Sequence, residues 1–171
     1  LKDAAGSKEK LREKVKAAEI IAQSSGTEGM IGGQVVDLES EGIEITAETL
    51  QYMHRHKTGA LITAPVLVAA IICGASEEEY SCLCEYSENI GLAFQIKDDI
   101  MDVESSFEEM GKEIGSDSAN QKSTFVSLFG IEKAKQMLND TLKKADNSLQ
   151  IFGDKASFLR ELAEYIGNRK S

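Results

Sequence analysis

The residues best suited to chemistry lie between positions 91 and 102, Gly-Leu-Ala-Phe-Gln-Ile-Lys-Asp-Asp-Ile-Met-Asp. Three carboxylates, Asp98, Asp99 and Asp102, close an otherwise apolar helical stretch. Steps of three and four return to the same helix face, so Gly91, Gln95, Asp98 and Asp102 share one stripe. Acids at that spacing repel one another unless a cation stands between them. A hard divalent ion such as Mg2+ takes carboxylate oxygens, keeps several waters and shares phosphate oxygens. The competing reading is a solvated acidic helix end, although the dipole at a helix C-terminus disfavours anions. Spacing alone leaves both open.

Two further stretches carry chemistry-bearing residues. In Gly29-Met30-Ile31-Gly32-Gly33-Gln34-Val35-Val36-Asp37, the glycines weaken an isolated helix by roughly 1 kcal/mol each. Such a cost is tolerated where another backbone or a ligand comes close. Met30, Gln34 and Asp37 share a face there, either as packing or as the lining of a cavity. Lys57 marks the border between a polar and an uncharged stretch, where a lysine either snorkels to water or points inward as a fixed charge for phosphate, with the Thr58 hydroxyl beside it. His54 and His56 are two apart and fall on different faces, which does not suit a two-histidine metal site. Residues 104–122 lack apolar periodicity and read as a long loop, on which Lys112 and Lys122 are placed to close over an anion.

The elements that must position these residues are helices. The chain has 171 residues, 42% of them hydrophobic, enough for one folded domain. A single proline and no tryptophan, with many Ala, Leu, Ile, Glu and Lys, point to an all-α fold of about seven helices. Thr46 caps a helix running to about Cys73, and Pro65 should kink it. Its uncharged part, residues 58–76, is borderline for a membrane span and reads better as a helix at the centre of a bundle. Ser76 and Glu79 form a capping box for the helix that leads into the acids. Asp154 reads as the cap of the last helix. The net charge of −10 argues against nucleic acid and anionic lipid as partners. Cys73, Cys82 and Cys84 are expected as buried, reduced thiols of a cytoplasmic protein.

Taken together, Gly29 to Leu38, His56-Lys57-Thr58-Gly59-Ala60, Gly91 to Asp102 and Gly111-Lys112 resemble the trans-isoprenyl diphosphate synthases, most of all their bacterial farnesyl diphosphate branch. The order and spacing of four motifs make the resemblance specific. It runs over residues 1–171 as the C-terminal part of a single synthase domain. It implies an all-α, isoprenoid synthase-type helical bundle around a central cavity, a homodimer, and Mg2+, or Mn2+ in its place. The implied reaction condenses an allylic diphosphate (dimethylallyl or geranyl) with isopentenyl diphosphate to farnesyl diphosphate. On this resemblance Asp98, Asp99 and Asp102 are the second aspartate-rich motif and hold the metal. Lys57, Lys112 and Lys122 bind the allylic diphosphate, with Thr58 and Gln95 beside it. Gln34 and Asp37 line the cavity, and Phe94 walls the hydrocarbon tail. The family's first aspartate-rich motif and most of its isopentenyl diphosphate site are not in this sequence, so the chain by itself is expected to be inactive. A longer-chain polyprenyl diphosphate synthase and a non-catalytic partner subunit remain as alternatives.

Overall fold

Apolar residues recurring every three to four positions build helices along the whole of the described chain, and no strand occurs among the described residues. The computed structural model describes residues 10–110 and 123–169, apart from the side chains of 105–110. The helices are α1 (Leu11–Ser25), α2 (Met30–Glu39), α3 (Ala47–His54), α4 (Ala60–Cys73), α5 (Glu77–Met110), α6 (Phe125–Phe129), α7 (Ile131–Ser148) and α8 (Ser157–Asn168). A π-helical turn, Arg55–Gly59, joins α3 to α4 without a break, and a 3-10 segment, Gln150–Ala156, leads into α8.

The central member is α5, 34 residues long. Its start is the expected capping box: the Ser76 amide donates to Glu79 Oε2 at 2.7 Å, and the Glu79 amide donates to Ser76 Oγ at 3.2 Å. Tyr86, Ile90, Ala93, Ile96 and Ile100 form its buried stripe, meeting Leu50 and Met53 of α3, Phe125 of α6 and Leu138 of α7. The Tyr86 hydroxyl donates to the Leu159 carbonyl at 2.7 Å, which ties α8 to the same core. Burial pushes the Tyr86 phenol up to about 12.

Several sequence expectations are corrected here. The acids do not end a helix, because α5 runs past Asp102 to Met110. The argument from the dipole at a helix terminus therefore does not apply. The stretch expected as a loop from 104 begins as helix, and residues 111–122, with Lys112 and Lys122, lie outside the described residues. The departure from α geometry in the 47–73 rod falls at Arg55–Gly59, while the helix continues through Pro65. That rod is long and apolar enough to cross a membrane by length and composition, and it is not the buried centre of the bundle. In α4 only Ala64 and Ala70 are buried. Cys73 is exposed, and Cys82 and Cys84 are half-buried free thiols, not core residues. Asp154 sits inside the 3-10 segment, and the N-cap of α8 is Ala156.

Candidate diphosphate and metal site

The site is assembled on the π-turn. α2 crosses it on one side and α5 on the other, and each crossing is made by a glycine. A Cβ at Gly33 would stand 2.1 Å from the Lys57 amide nitrogen, and one at Gly91 would stand 3.0 Å from Gly59 Cα. Glycine is required because the two backbones are in direct contact there. The glycine-rich run of α2 thus serves packing. The same packing carries Asp37, one turn further along α2, to Lys57. The Lys57 ammonium donates to Asp37 Oδ2 at 2.7 Å. Asp37 is buried, whereas Gln34, on the same expected face, is exposed. Thr58 is half-buried within the π-turn, a kind of local irregularity that recurs at functional sites.

On α5 the glycine crossing places Gln95 one turn, and Asp98 two turns, beyond the contact with Gly59. At about 1.5 Å per residue, Asp98 lies about 10 Å along the axis from Gly91. Gln95 Nε2 donates to Asp98 Oδ2 at 3.4 Å. Asp98 Oδ1 accepts from a guanidinium nitrogen of Arg169 at 2.5 Å. That arginine also donates to the Phe94 carbonyl at 3.0 Å, and its Cζ lies 3.9 Å above the centre of the Phe94 ring. Phe94, expected as a wall for a hydrocarbon tail, is therefore covered by a cation.

The three acids are not grouped around one point, and among the described residues no cluster of three His, Cys, Asp or Glu could hold a metal ion. Asp99 is turned away from Asp98 and Asp102. Its Oδ2 accepts the Phe125 amide at 2.7 Å and anchors the start of α6. Burial raises the Asp99 carboxyl to about 6, against the opposing bond from Phe125, and Asp102 and Asp98 add to the rise. A shift from 3.8 to about 6 costs the ionised form roughly 3 kcal/mol. Burying four large side chains of the α5 stripe is worth roughly 6–12 kcal/mol, so core packing decides how α5 is turned. Asp99 lies one position from Asp98 and points inward as a result. Asp98, with its side chain 37% exposed, and Asp102, one turn on and exposed, keep the outward stripe.

Two residues that the sequence does not place at the site lie beside it. Arg169 follows α8 and is far from Asp98 in sequence, so no local pattern links them. His54, considered only as a metal ligand, is buried and stacked on Phe125 with ring centroids 5.4 Å apart. Neither of its ring nitrogens makes a hydrogen bond of ordinary geometry, although the Gln95 side chain lies close enough to act on the ring. Burial holds its pKa down to about 4, and nearby Lys57 adds to this. Gln95 and Asp37 pull the other way without restoring it. His56 instead stacks on Tyr52 and bonds the Tyr52 carbonyl at 2.7 Å. A cleft of about 760 Å³ opens beside Tyr52, Arg55, His56, Glu85 and Glu88, on residues other than Lys57, Gln95 and Asp98.

Comparison with known proteins decides the family. The polyprenyl synthetase family model matches residues 4–156. This chain belongs to the polyprenyl synthetase family. It is 42% identical to a geranylgeranyl diphosphate synthase of Cyanophora paradoxa, covering 92% of this chain and 53% of that protein. It is also 42% identical to a farnesyl diphosphate synthase of Micrococcus luteus, covering 91% of this chain and 54% of the relative. A crystal structure of an FPP/GFPP synthase from Zymomonas mobilis superposes with a TM-score of 0.79 at 33% identity, covering 91% of this chain and 51% of that one. A geranyltransferase of Helicobacter pylori, complexed with magnesium and isoprenyl diphosphate, superposes at 0.70 with 32% identity, covering 92% and 52%. The all-α architecture is thus that of the isoprenyl diphosphate synthases. The chain spans about half the length of the curated relatives it matches.

Proposed function

We propose that this chain supplies the allylic diphosphate half of a prenyltransferase that joins an allylic diphosphate to isopentenyl diphosphate, with farnesyl diphosphate as product. In that reaction the allylic C–O bond breaks and diphosphate leaves with the electron pair. The double bond of isopentenyl diphosphate then supplies the electrons of the new C–C bond, and a proton is lost. The observation that carries the reading is the glycine-crossed π-turn, which sets a lysine ammonium and an outward acid stripe on neighbouring elements.

Asp98 and Asp102 suit a divalent cation: one turn separates them, and Asp98 Oδ1 already draws a positive group to within 2.5 Å. They would hold Mg2+, or Mn2+, which when bound neutralises charge on the leaving diphosphate. Asp99 holds α6 in this reading and is not a ligand. Lys57 donates to a departing phosphate oxygen, and Asp37 orients its ammonium from behind. Thr58 and Gln95 offer further donors, and Lys112 and Lys122 are assigned to the same diphosphate by the family motif. A longer-chain synthase is the second reading, because the geranylgeranyl and farnesyl relatives match at the same 42% identity. We place the whole protein in the cytoplasm as a homodimer.

The test grafts residues 1–171 in place of the matched segment of the Micrococcus luteus enzyme. Radiolabelled isopentenyl diphosphate is then followed into products of defined chain length. Turnover that falls by orders of magnitude with Asp98→Ala supports the proposal. A folded chimera without turnover, or one indifferent to Asp98→Ala, overturns it.

A further inference from the structure

Arg169 is the C-cap of α8, its amide bonded to the Tyr165 carbonyl at 2.9 Å. Its side chain reaches across to α5 and is only 11% exposed, while Asp98 is 37% exposed. One guanidinium nitrogen serves both Asp98 Oδ1 at 2.5 Å and the Phe94 carbonyl at 3.0 Å, and the guanidinium carbon stands 3.9 Å over the centre of the Phe94 ring. Its Nε is buried with no partner. An arginine placed for structure alone uses its planar fork on several acceptors. This one directs a single nitrogen to both of its acceptors, leaves a buried donor unmet, and meets one carboxylate oxygen only.

We propose that Arg169 is an internal counterion that occupies Asp98 in the cation-free protein and must leave Asp98 Oδ1 when a divalent cation binds with diphosphate. The proposal rests on the reading of Asp98 as a metal ligand. A cation about 2.1 Å from that oxygen would take the space and the lone pair that the guanidinium uses. The two positive groups would also repel at such separations. Arg169 thereby weakens cation binding, and by linkage cation binding loosens the end of α8. The affinity of the acid stripe is set in part by a residue 71 positions away.

The test uses Mn2+ as probe, alone and with inorganic pyrophosphate, following free Mn2+ by electron paramagnetic resonance. Arg169→Gln keeps amide donors and removes the charge. It should lower the Mn2+ Kd three- to tenfold, while Asp98→Asn should raise it at least tenfold. In the reciprocal readout, Mn2+ with pyrophosphate should speed tryptic cleavage after Arg169 in the wild type, followed by mass spectrometry. In Asp98→Asn that cleavage should be fast without Mn2+. Wild-type binding that depends on Asp98, with an unchanged or weaker Arg169→Gln affinity and unchanged proteolysis, overturns the counterion and leaves the metal reading standing. Binding that ignores Asp98→Asn, or no binding in any variant, overturns both. Should Arg169→Gln lose helix by circular dichroism, the wild-type proteolysis decides.

Discussion

Gly33 of α2 lies against the backbone of Lys57, so close that an added methyl carbon would stand 2.6 Å from Lys57 Cα as well as 2.1 Å from its amide nitrogen. Neither backbone can step aside without moving its helix. Gly33→Ala should therefore cost about 3 kcal/mol, the upper end for overpacking. Gly91→Ala meets Gly59 at 3.0 Å and needs a shift of only tenths of an ångström, so about 1 kcal/mol is expected. Urea midpoints of the two variants check the order. Equal costs would contradict the crossing.

Lys57 has a structural and a chemical task. Lys57→Met takes the ammonium from the buried Asp37 carboxylate and should cost about 1–3 kcal/mol, read from thermal unfolding. In the chimera it should raise the KM for the allylic diphosphate more than that for isopentenyl diphosphate. Equal effects on both substrates would remove Lys57 from the proposed place.

Asp98 and Asp99 are neighbours with opposite duties, and substitution should separate them. Asp99→Ala leaves the buried Phe125 amide without its acceptor and should lower stability by about 1–3 kcal/mol. Asp98→Asn leaves Arg169, only 11% exposed, with a neutral acceptor in place of its carboxylate and should cost about 1–3 kcal/mol. Turnover in the chimera should suffer far more from Asp98→Asn than the stability does. Chemical denaturation and steady-state rates on the same preparations make the comparison.

His54 and Asp99 should pull the stability in opposite directions as the pH falls. The folded His54 pKa of about 4 lies below the unfolded value of 6.5, so the unfolded chain takes the proton first. Through His54, stability is lost as pH falls from about 6.5 to about 4, by roughly 3 kcal/mol in total. Asp99 acts in the opposite sense: its raised carboxyl favours the folded state as pH falls from about 6 to 3.8. The two contributions are of similar size, so the wild type should change little between pH 6 and 4, whereas His54→Leu should gain stability as pH falls through that window, measured by urea midpoints at each pH. A slope like that of the wild type would mean that His54 is not the opposing group.

Much of this molecule is legible in the order of its residues. The helices follow from short-range periodicity, and the capping box at Ser76 and Glu79 and the helix start at Thr46 form as expected, because their partners lie within one turn. The glycines of α2 signalled a close approach without saying to what. The end of α5 is not legible in the sequence, because a charged, weakly periodic segment carries little local signal for helix or loop.

What the sequence by itself determined is the set of chemical groups and their stripes: a glycine, an amide and two acids in line on one helix, and a lysine before an uncharged run. Only the tertiary structure decided which acid is turned to the core, which cation each carboxylate holds, and what the glycines touch. Asp98 and Asp99 differ by one position, and the burial of Tyr86, Ile90, Ile96 and Ile100 turns α5 so that one faces Phe125 and the other Arg169. That outcome depends on contacts between residues tens of positions apart, whose energies no local pattern contains.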